Sequence, residues 1–276
     1  MDPAVLIVIP CFNDGAFLRE SVASAQNQDY PGIEIVVVDD GSTDPGTQEV
    51  MKRLSEEGVQ VLHKRNGHLS SARNHGIASR KTDFVFPLDA DDRIESTFIR
   101  KGVAILKTKP EVGVVTSHIR TFGNLDELWK PMGGGIENVI GHNNAACGNS
   151  LFRRLCWEQV GGYDESMVHG QEDWEFWVNV LKRGWMVEVI PEELFFYRIS
   201  SKSMAINSKP YFVKNLEYII RKHREVFQEH IETAILYREQ RIQDMDRALD
   251  RFRKLRSHPI MRLAYRLGLK KFLNGP

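Results

Sequence analysis

The run FVFPLDADD, Phe84 to Asp92, decides how the rest of this chain is read. Its apolar half, Phe84–Leu88, has the composition of a buried strand and stops abruptly at Asp89-Ala90-Asp91-Asp92. The same pattern stands upstream in IEIVVVDDGS, where Ile33–Val38 ends at Asp39-Asp40-Gly41-Ser42. A third run, Ala4–Ile9 (AVLIVI), is fully apolar and β-rich, as a strand covered on both faces must be. Asn13 and Asp14 offer a cap for a helix through Phe17, Leu18, Val22 and Ala25. Thr47 to Glu57 and Ser70 to Ser79 read as further helices, with a short strand at Val59–Leu62 between them. This alternation predicts an α/β fold, a Rossmann-like and mostly parallel sheet flanked by helices. Such sheets bind ligands at the carboxyl ends of their strands, so both acidic clusters are expected on one edge.

Further along, Val112–Ser117 is strand-like, Gly133-Gly134-Gly135 marks a loop, and Cys147–Phe152 is a possible strand. Glu172 to Arg183 predicts an amphipathic helix with Trp174, Trp177, Val178 and Leu181 on one face. Met186–Ile190 and Leu194–Tyr197 are two short strand candidates. From Pro210 to Leu255 the pattern is long, charged and helical. Pro259 breaks it, and Ile260 to Leu273 reads as a short basic amphipathic helix. The expected organisation is therefore a catalytic-type domain over residues 1–200 and a C-terminal helical extension over 201–276.

Of the 276 residues, 42% are hydrophobic and 27% charged, an ordinary globular balance. No apolar run approaches the roughly 20 residues of a membrane span. The six-residue run Ala4–Ile9 lacks a basic leader and reads as a strand rather than a secretory signal. The three cysteines (Cys11, Cys147, Cys156) show no CxxC spacing, which argues against a zinc cluster or disulfide framework and for a reducing compartment. The net charge is zero, yet residues 198–276 hold 18 basic against 8 acidic side chains. Residues 251–276 hold eight basic side chains and no acidic one. Such a tail suits peripheral contact with an anionic membrane, a solvated surface, or a homo-oligomer contact made by the helical extension. It lacks the interleaved aromatics of a nucleic-acid site, so no nucleic-acid partner is expected.

Three carboxylates within four residues, Asp89, Asp91 and Asp92, repel one another unless a cation lies among them. Oxygen-only ligands favour Mg²⁺ or Mn²⁺, which take one or two carboxylates together with substrate phosphates. An acidic turn capping a helix near Ser96 is the competing account. Asp39-Asp40 is an ordinary turn composition, and equally an acceptor for the imide N–H of a uracil ring. Arg73, early in a helix where it opposes the dipole, hints at an anion such as diphosphate. Glu172-Asp173 suits either a helix first turn or a general base that takes a proton from an attacking hydroxyl. Trp174 offers a stacking surface for a sugar, or core packing.

Together these pieces resemble the family 2 glycosyltransferases of the GT-A fold. The matching residues are Ile9-Pro10-Cys11-Phe12-Asn13, Val38-Asp39-Asp40-Gly41-Ser42-Thr43-Asp44, Ala72-Arg73-Asn74-x-Gly76, Leu88-Asp89-Ala90-Asp91-Asp92 and Glu172-Asp173, spread over about residues 4 to 200. The resemblance implies a nucleotide site of Pro10, Asn13, Asp39, Asp40, Arg73 and Asp89, with Asp40 foremost for uracil. It implies Asp91 as a ligand of Mn²⁺ or Mg²⁺, with Asp92 as a second contact, and Asp173 as catalytic base. Glu172, Trp174, Asn149 and Arg198 would stand on the acceptor or diphosphate side. Many relatives carry a histidine two residues after Tyr197-Arg198, where this chain has Ser200.

The implied reaction is an inverting, metal-dependent transfer from a nucleotide-sugar donor, a UDP-sugar, to a hydroxyl of a saccharide or lipid-linked acceptor in cell-surface polysaccharide or glycolipid synthesis. No cysteine or serine nucleophile is needed. The expected place is the cytoplasm, or the inner face of the membrane. Two other readings stand: a non-catalytic nucleotide-binding module on the same fold, and a sugar nucleotidyltransferase. The latter should carry a glycine-rich basic loop after the first strand, which Cys11-Phe12-Asn13-Asp14 is not.

Overall fold

A computed structural model describes residues 2–200 and 207–257. The uninterrupted apolar runs become the middle of a nine-stranded sheet ordered β3-β2-β1-β4-β8-β6-β9-β5, with β7 beside β6. In chain order the strands are β1 (Val5–Cys11), β2 (Ile33–Asp39), β3 (Gln60–His63), β4 (Phe84–Pro87), β5 (Arg93–Ile94), β6 (Val112–Gly123), β7 (Leu128–Trp129), β8 (Leu151–Arg153) and β9 (Met186–Ile199). Strands β3, β2, β1, β4, β6 and β9 all run one way; only the short β5, β7 and β8 oppose them.

Strand β1 is buried throughout because both faces are covered. Val5, Ile7 and Ile9 join one apolar cluster, with α1 (Gly15–Gln26) and α4 (Phe98–Thr108) packed over it. Leu6 and Val8 join the opposite one, covered by α3 (His68–Ala78) and α7 (Glu172–Leu181). The remaining helices of the domain are α2 (Pro45–Glu56), α5 (Glu137–Ile140) and α6 (Arg154–Val160). Parallel register pairs Cys11 with Asp39 and Val8 with Pro87. The acids that follow β2 and β4 therefore emerge on the same edge, as anticipated.

Three local readings change. The two strands expected at Met186–Ile190 and Leu194–Tyr197 are one strand, because the β6 register jumps from Ile190 to Glu193 and the bulge absorbs Pro191, which has no N–H to offer the ladder. Of Cys147–Phe152, only Leu151 onward is extended. The helix expected over 210–255 is three: α8 (Phe212–Lys222), α9 (Arg224–Glu229) and α10 (Ile231–Ser257), broken at His223 and His230. The first two are not an appendage, since Ile219 and Phe227 are buried in the second core cluster. The basic helix expected at Ile260–Leu273 lies outside the described residues, as does most of the 251–276 tail.

Gly76 explains the close approach of α3 to the sheet. A Cβ there would stand 2.5 Å from Val8 Cγ1 and 2.9 Å from Val38 Cγ2. Gly76→Ala should lower the unfolding free energy by about 1–3 kcal/mol through overpacking, read from the urea midpoint. An unchanged midpoint would mean that α3 can lift off the sheet at no cost.

Candidate active site

The carboxyl edge of the sheet opens into a cavity of about 570 Å³. Pro10, Cys11 and Phe12 reach it from the end of β1, Asp40 from β2, Asp89 and Asp91 from β4, and Glu172 and Asp173 from the head of α7. The two loops that follow β1 and β2 on one side of it are tied together from within. Asn13, at φ 56°, accepts from the backbone N–H groups of Thr43 and Asp44, both at 2.8 Å. Asp39 accepts from Ser42 N at 2.8 Å and pairs with His63 Nδ1 at 2.9 Å. Burial pushes the Asp39 carboxyl up, but the Ser42 N–H and His63 outweigh it and hold it below the usual range. Asn13 and Asp39 thus shape the loops and do not line the cavity, unlike Asp40. Asp40 Oδ1 accepts from Lys64 Nζ at 2.7 Å and from Gly67 N at 3.0 Å. A carboxylate has roughly four acceptor directions, so a further donor can still be met.

Arg73 is 1% exposed. It donates to Asp89 Oδ1 and to Glu172 Oε1, each at 2.8 Å, and lies 5.4 Å from the Tyr163 ring centre. Burial alone would lower its pKa, but the two carboxylates raise it above even its ordinary value. Its Nε has no hydrogen-bond partner among the described residues. Arg73 therefore lies in the floor of the site, where it holds two acids together.

Around the turn after β4 the acids divide their work. Asp89 is held by Arg73. Asp92 is buried and accepts from Arg198 N at 2.8 Å, leaving its Oδ2 without a hydrogen-bond partner among the described residues. Arg198 donates through Nε to the carbonyl of Asp91 at 2.8 Å, pairs with Glu20 and lies over Phe17 and Phe122. Arg198 and Asp92 thus clamp the turn from the side of β9, and neither lines the cavity. Asp91 does, and its carboxyl is pushed up to about 7 by burial and by the charges of Asp89 and Asp14. A cation beside it would reverse that shift. Among the described residues no three His, Cys, Asp or Glu side chains converge into a closed metal site. Asp91 with Asp89 beside it in the lining would suit Mg²⁺ or Mn²⁺, which complete their shell with phosphate oxygens and water.

Across the cavity, Asp173 Oδ2 accepts from Asn143 Nδ2 at 2.9 Å. Burial raises both the Glu172 and Asp173 carboxyls, and the Arg73 charge opposes this in each. Gly148 lines the cavity beside Asp173, where an added Cβ would meet Asp173 Cβ at an ordinary contact distance of 3.4 Å. Asn149 lines the cavity, is buried, and has an Nδ2 without a partner among the described residues. Trp174 belongs to the core instead. It is 1% exposed, donates from Nε1 to the Val139 carbonyl at 2.6 Å and stacks on His142, because α7 turns it away from Asp173. Cys11 and Cys147 line the cavity, but burial raises their thiols to about 12 and about 11, so neither is a nucleophile near neutrality.

Some residues of the site gave no signal in the sequence. Asn143 and Lys64 act through loops whose course periodicity does not reveal. Asp14 reads as a helix cap, and Tyr197 as an apolar strand residue. Tyr197 nonetheless lines the cavity, and burial together with Asp92, Asp89 and Asp91 raises its hydroxyl far above the usual range.

The family model described as "Glycosyl transferase family 2" matches residues 6–161, and one described as "Glycosyltransferase like family 2" matches residues 137–241. Glycosyltransferase GlyA of Streptococcus pneumoniae is 37% identical over 101 residues, 36% of this chain and 14% of that protein. A Bacillus subtilis protein described as "Uncharacterized glycosyltransferase EpsJ" is 24% identical over 253 residues, covering 79% of this chain and 67% of that one. The chain spans less than a fifth of the length of GlyA and of a 39% identical Rickettsia felis glycosyltransferase. In fold it is similar to Staphylococcus aureus TarS residues 1–349, crystallised with UDP-GlcNAc, at a TM-score of 0.62 and 18% identity over 73% of this chain and 60% of that one. The first family model covers more than half of the chain, from the second residue of β1 to the end of α6, and the protein belongs to glycosyltransferase family 2.

Proposed function

We propose that the protein is an inverting, metal-dependent glycosyltransferase that moves a sugar from a UDP-sugar to a hydroxyl acceptor. The observation that carries this reading is that Asp40, Asp91 and Asp173, from three separate parts of the chain, line one cavity. TarS, of related fold, has been crystallised with UDP and with UDP-GlcNAc, which supports the choice of donor.

Asp40, with Pro10 and Phe12, lies where the base of the donor would sit, and its carboxylate can accept the uracil imide N–H. Asp91, with Asp92 behind it, would hold Mn²⁺ or Mg²⁺, which supplies charge neutralisation for a departing diphosphate. Arg73 is committed to Asp89 and Glu172, so its contribution to the diphosphate is a fixed positive field more than a direct contact. Asp173 takes the acceptor's hydroxyl proton, and the Asn143 amide keeps its carboxylate turned to the cavity. The hydroxyl oxygen attacks the anomeric carbon opposite the diphosphate; the C–O bond forms as the bond to diphosphate breaks, so the configuration inverts. Gly148 and Asn149 stand on the acceptor side. We extend the reading to a saccharide or lipid-linked acceptor in cell-surface polysaccharide or glycolipid synthesis at the inner face of the membrane, where the basic residues of 251–276 would suit an anionic surface.

The described residues contain no helix long and apolar enough to cross a membrane. Arg251, Arg253, Lys254 and Arg256 are exposed on α10 and continue into the basic segment beyond it. Peripheral contact with an anionic surface is part of this reading, at about 1 kcal/mol per basic residue near the surface.

Asp173→Asn should leave UDP binding within about twofold and lower transfer by about 10²–10⁴-fold. Because burial raises the Asp173 carboxyl, and the base must be ionised, wild-type transfer should fall with falling pH at a point above the ordinary carboxylate range. Loss of UDP binding in Asp173→Asn would make that residue structural. Asp91→Asn should abolish the Mn²⁺-dependent part of UDP binding measured by calorimetry, a loss of about 10²-fold or more. A wild type that binds UDP with metal yet neither transfers nor hydrolyses any UDP-sugar would favour the non-catalytic module. Removal of residues 251–276 should weaken sedimentation with anionic vesicles and leave UDP binding unchanged; equal sedimentation discards the membrane contact.

A further inference from the structure

The segment from Ser208 to His223 grips the head of α7 at two levels. At the first level, the three residues before the helix are held one by one. The His169 ring stacks on Tyr211 with centres 3.9 Å apart. Asn215 Nδ2 lies 3.2 Å from the His169 carbonyl, 3.0 Å from the Gly170 carbonyl and 2.8 Å from Gln171 Oε1. At the second level, Glu175, wholly buried, accepts from His223 Nε2 at 2.7 Å and from Lys222 Nζ at 2.9 Å. Lys182 donates to His223 Nδ1 at 3.0 Å, so Nε2 carries the hydrogen that Glu175 receives.

The turn that Asn215 holds is unusual. Gly170 has φ 87° and Gln171 φ 59°. A residue with a side chain keeps a left-handed conformation only where its surroundings over-determine it. The Gln171 carbonyl then accepts from Glu175 N at 3.1 Å and opens α7, so the next two residues, Glu172 and Asp173, take their direction from this turn. Asn215 touches neither acid and does not line the cavity.

We propose that Asn215 is a positioning residue for the transfer reaction. It acts through the Gly170–Gln171 turn to aim Glu172 at Arg73 and Asp173 at the cavity, while His223 and Lys222 fix the rotation of α7 one turn later. This rests on the reading of Asp173 as the base. The C-terminal helices are then part of the catalytic apparatus, and an acceptor entering beside Val168 and Gly170 meets a wall braced from behind.

The test compares Asn215→Asp and Asn215→Gln in the full chain. Aspartate keeps the shape but turns an acceptor toward two carbonyls and an amide oxygen; glutamine keeps the donor one methylene farther out. Asn215→Asp should lower kcat by about 10²-fold, the scale of a 1 Å misplacement, with the donor KM and UDP binding within about twofold. Asn215→Gln should recover part of that loss. Hydrogen–deuterium exchange over residues 166–175 should quicken by about tenfold in Asn215→Asp and less in Asn215→Gln. Unchanged exchange, an unchanged kcat, or an equal loss of UDP binding overturns the proposal. An Asp173→Asn enzyme that still transfers overturns the base and the catalytic half of the proposal with it, whereas unchanged exchange in Asn215→Asp overturns the brace alone.

Discussion

A guanidinium buried between two carboxylates is the constraint on which this site depends. Arg73 joins Asp89, just past the end of β4, to Glu172, which stands at the head of α7 ninety-nine residues beyond the arginine. Neither the buried Glu172 nor the buried arginine could stand there alone, because removing the partner of a charge in the interior costs about 3–5 kcal/mol. The pairing therefore works as a specification: α3 and α7 must lie where all three charges meet. Gly76, one turn beyond Arg73, lets α3 sit against Val8 and Val38 closely enough for that to happen. Asp173 follows Glu172 directly, so whatever aims the glutamate at Arg73 also sets the aspartate at the wall of the cavity.

The same burial that makes Arg73 costly to misplace also raises the carboxyls around it. Asp91, Asp92, Glu172 and Asp173 are all shifted upward, with desolvation the largest cause in each. At Asp91 and Asp92 the neighbouring acids add to the shift, which the proposed divalent cation would relieve. At Glu172 and Asp173 Arg73 opposes it. The two acidic groups thus differ in their surroundings: like charges add to the shift of one, and an arginine offsets that of the other.

The C-terminal helices qualify the division of the chain into a domain and an appendage. Ile219 and Phe227 complete an apolar cluster that begins with Leu6 and Val8 of the first strand. Ile219, His223 and Phe227 follow one another at intervals of four residues, so a single face of this helical segment carries both the core contacts and the hydrogen bond of His223 to Glu175.

The alternation of strands and helices, the mostly parallel sheet, the edge on which the acidic clusters emerge and most of the cavity's acids were legible in the sequence. Val5 to Ile9, Ile35 to Val38 and Phe84 to Leu88 are apolar without alternation, which only a strand covered on both faces tolerates. A parallel sheet then puts the acids after them on one edge. The five motifs added the family. What the sequence could not supply is the direction of each side chain. Asp39 and Asp40 are adjacent, yet one turns to His63 and the other to Lys64 and the cavity. Trp174 follows Asp173, yet one helical step of about 100° carries it into the core. Arg198 reads as a reach toward the diphosphate, yet it turns back on the Asp91 carbonyl and Glu20. Asn215 carries no motif at all. Local pattern determines which face of an element is apolar, because that follows from its own periodicity. Which polar group meets which depends on contacts between residues tens to a hundred positions apart, and only the packed structure decides those.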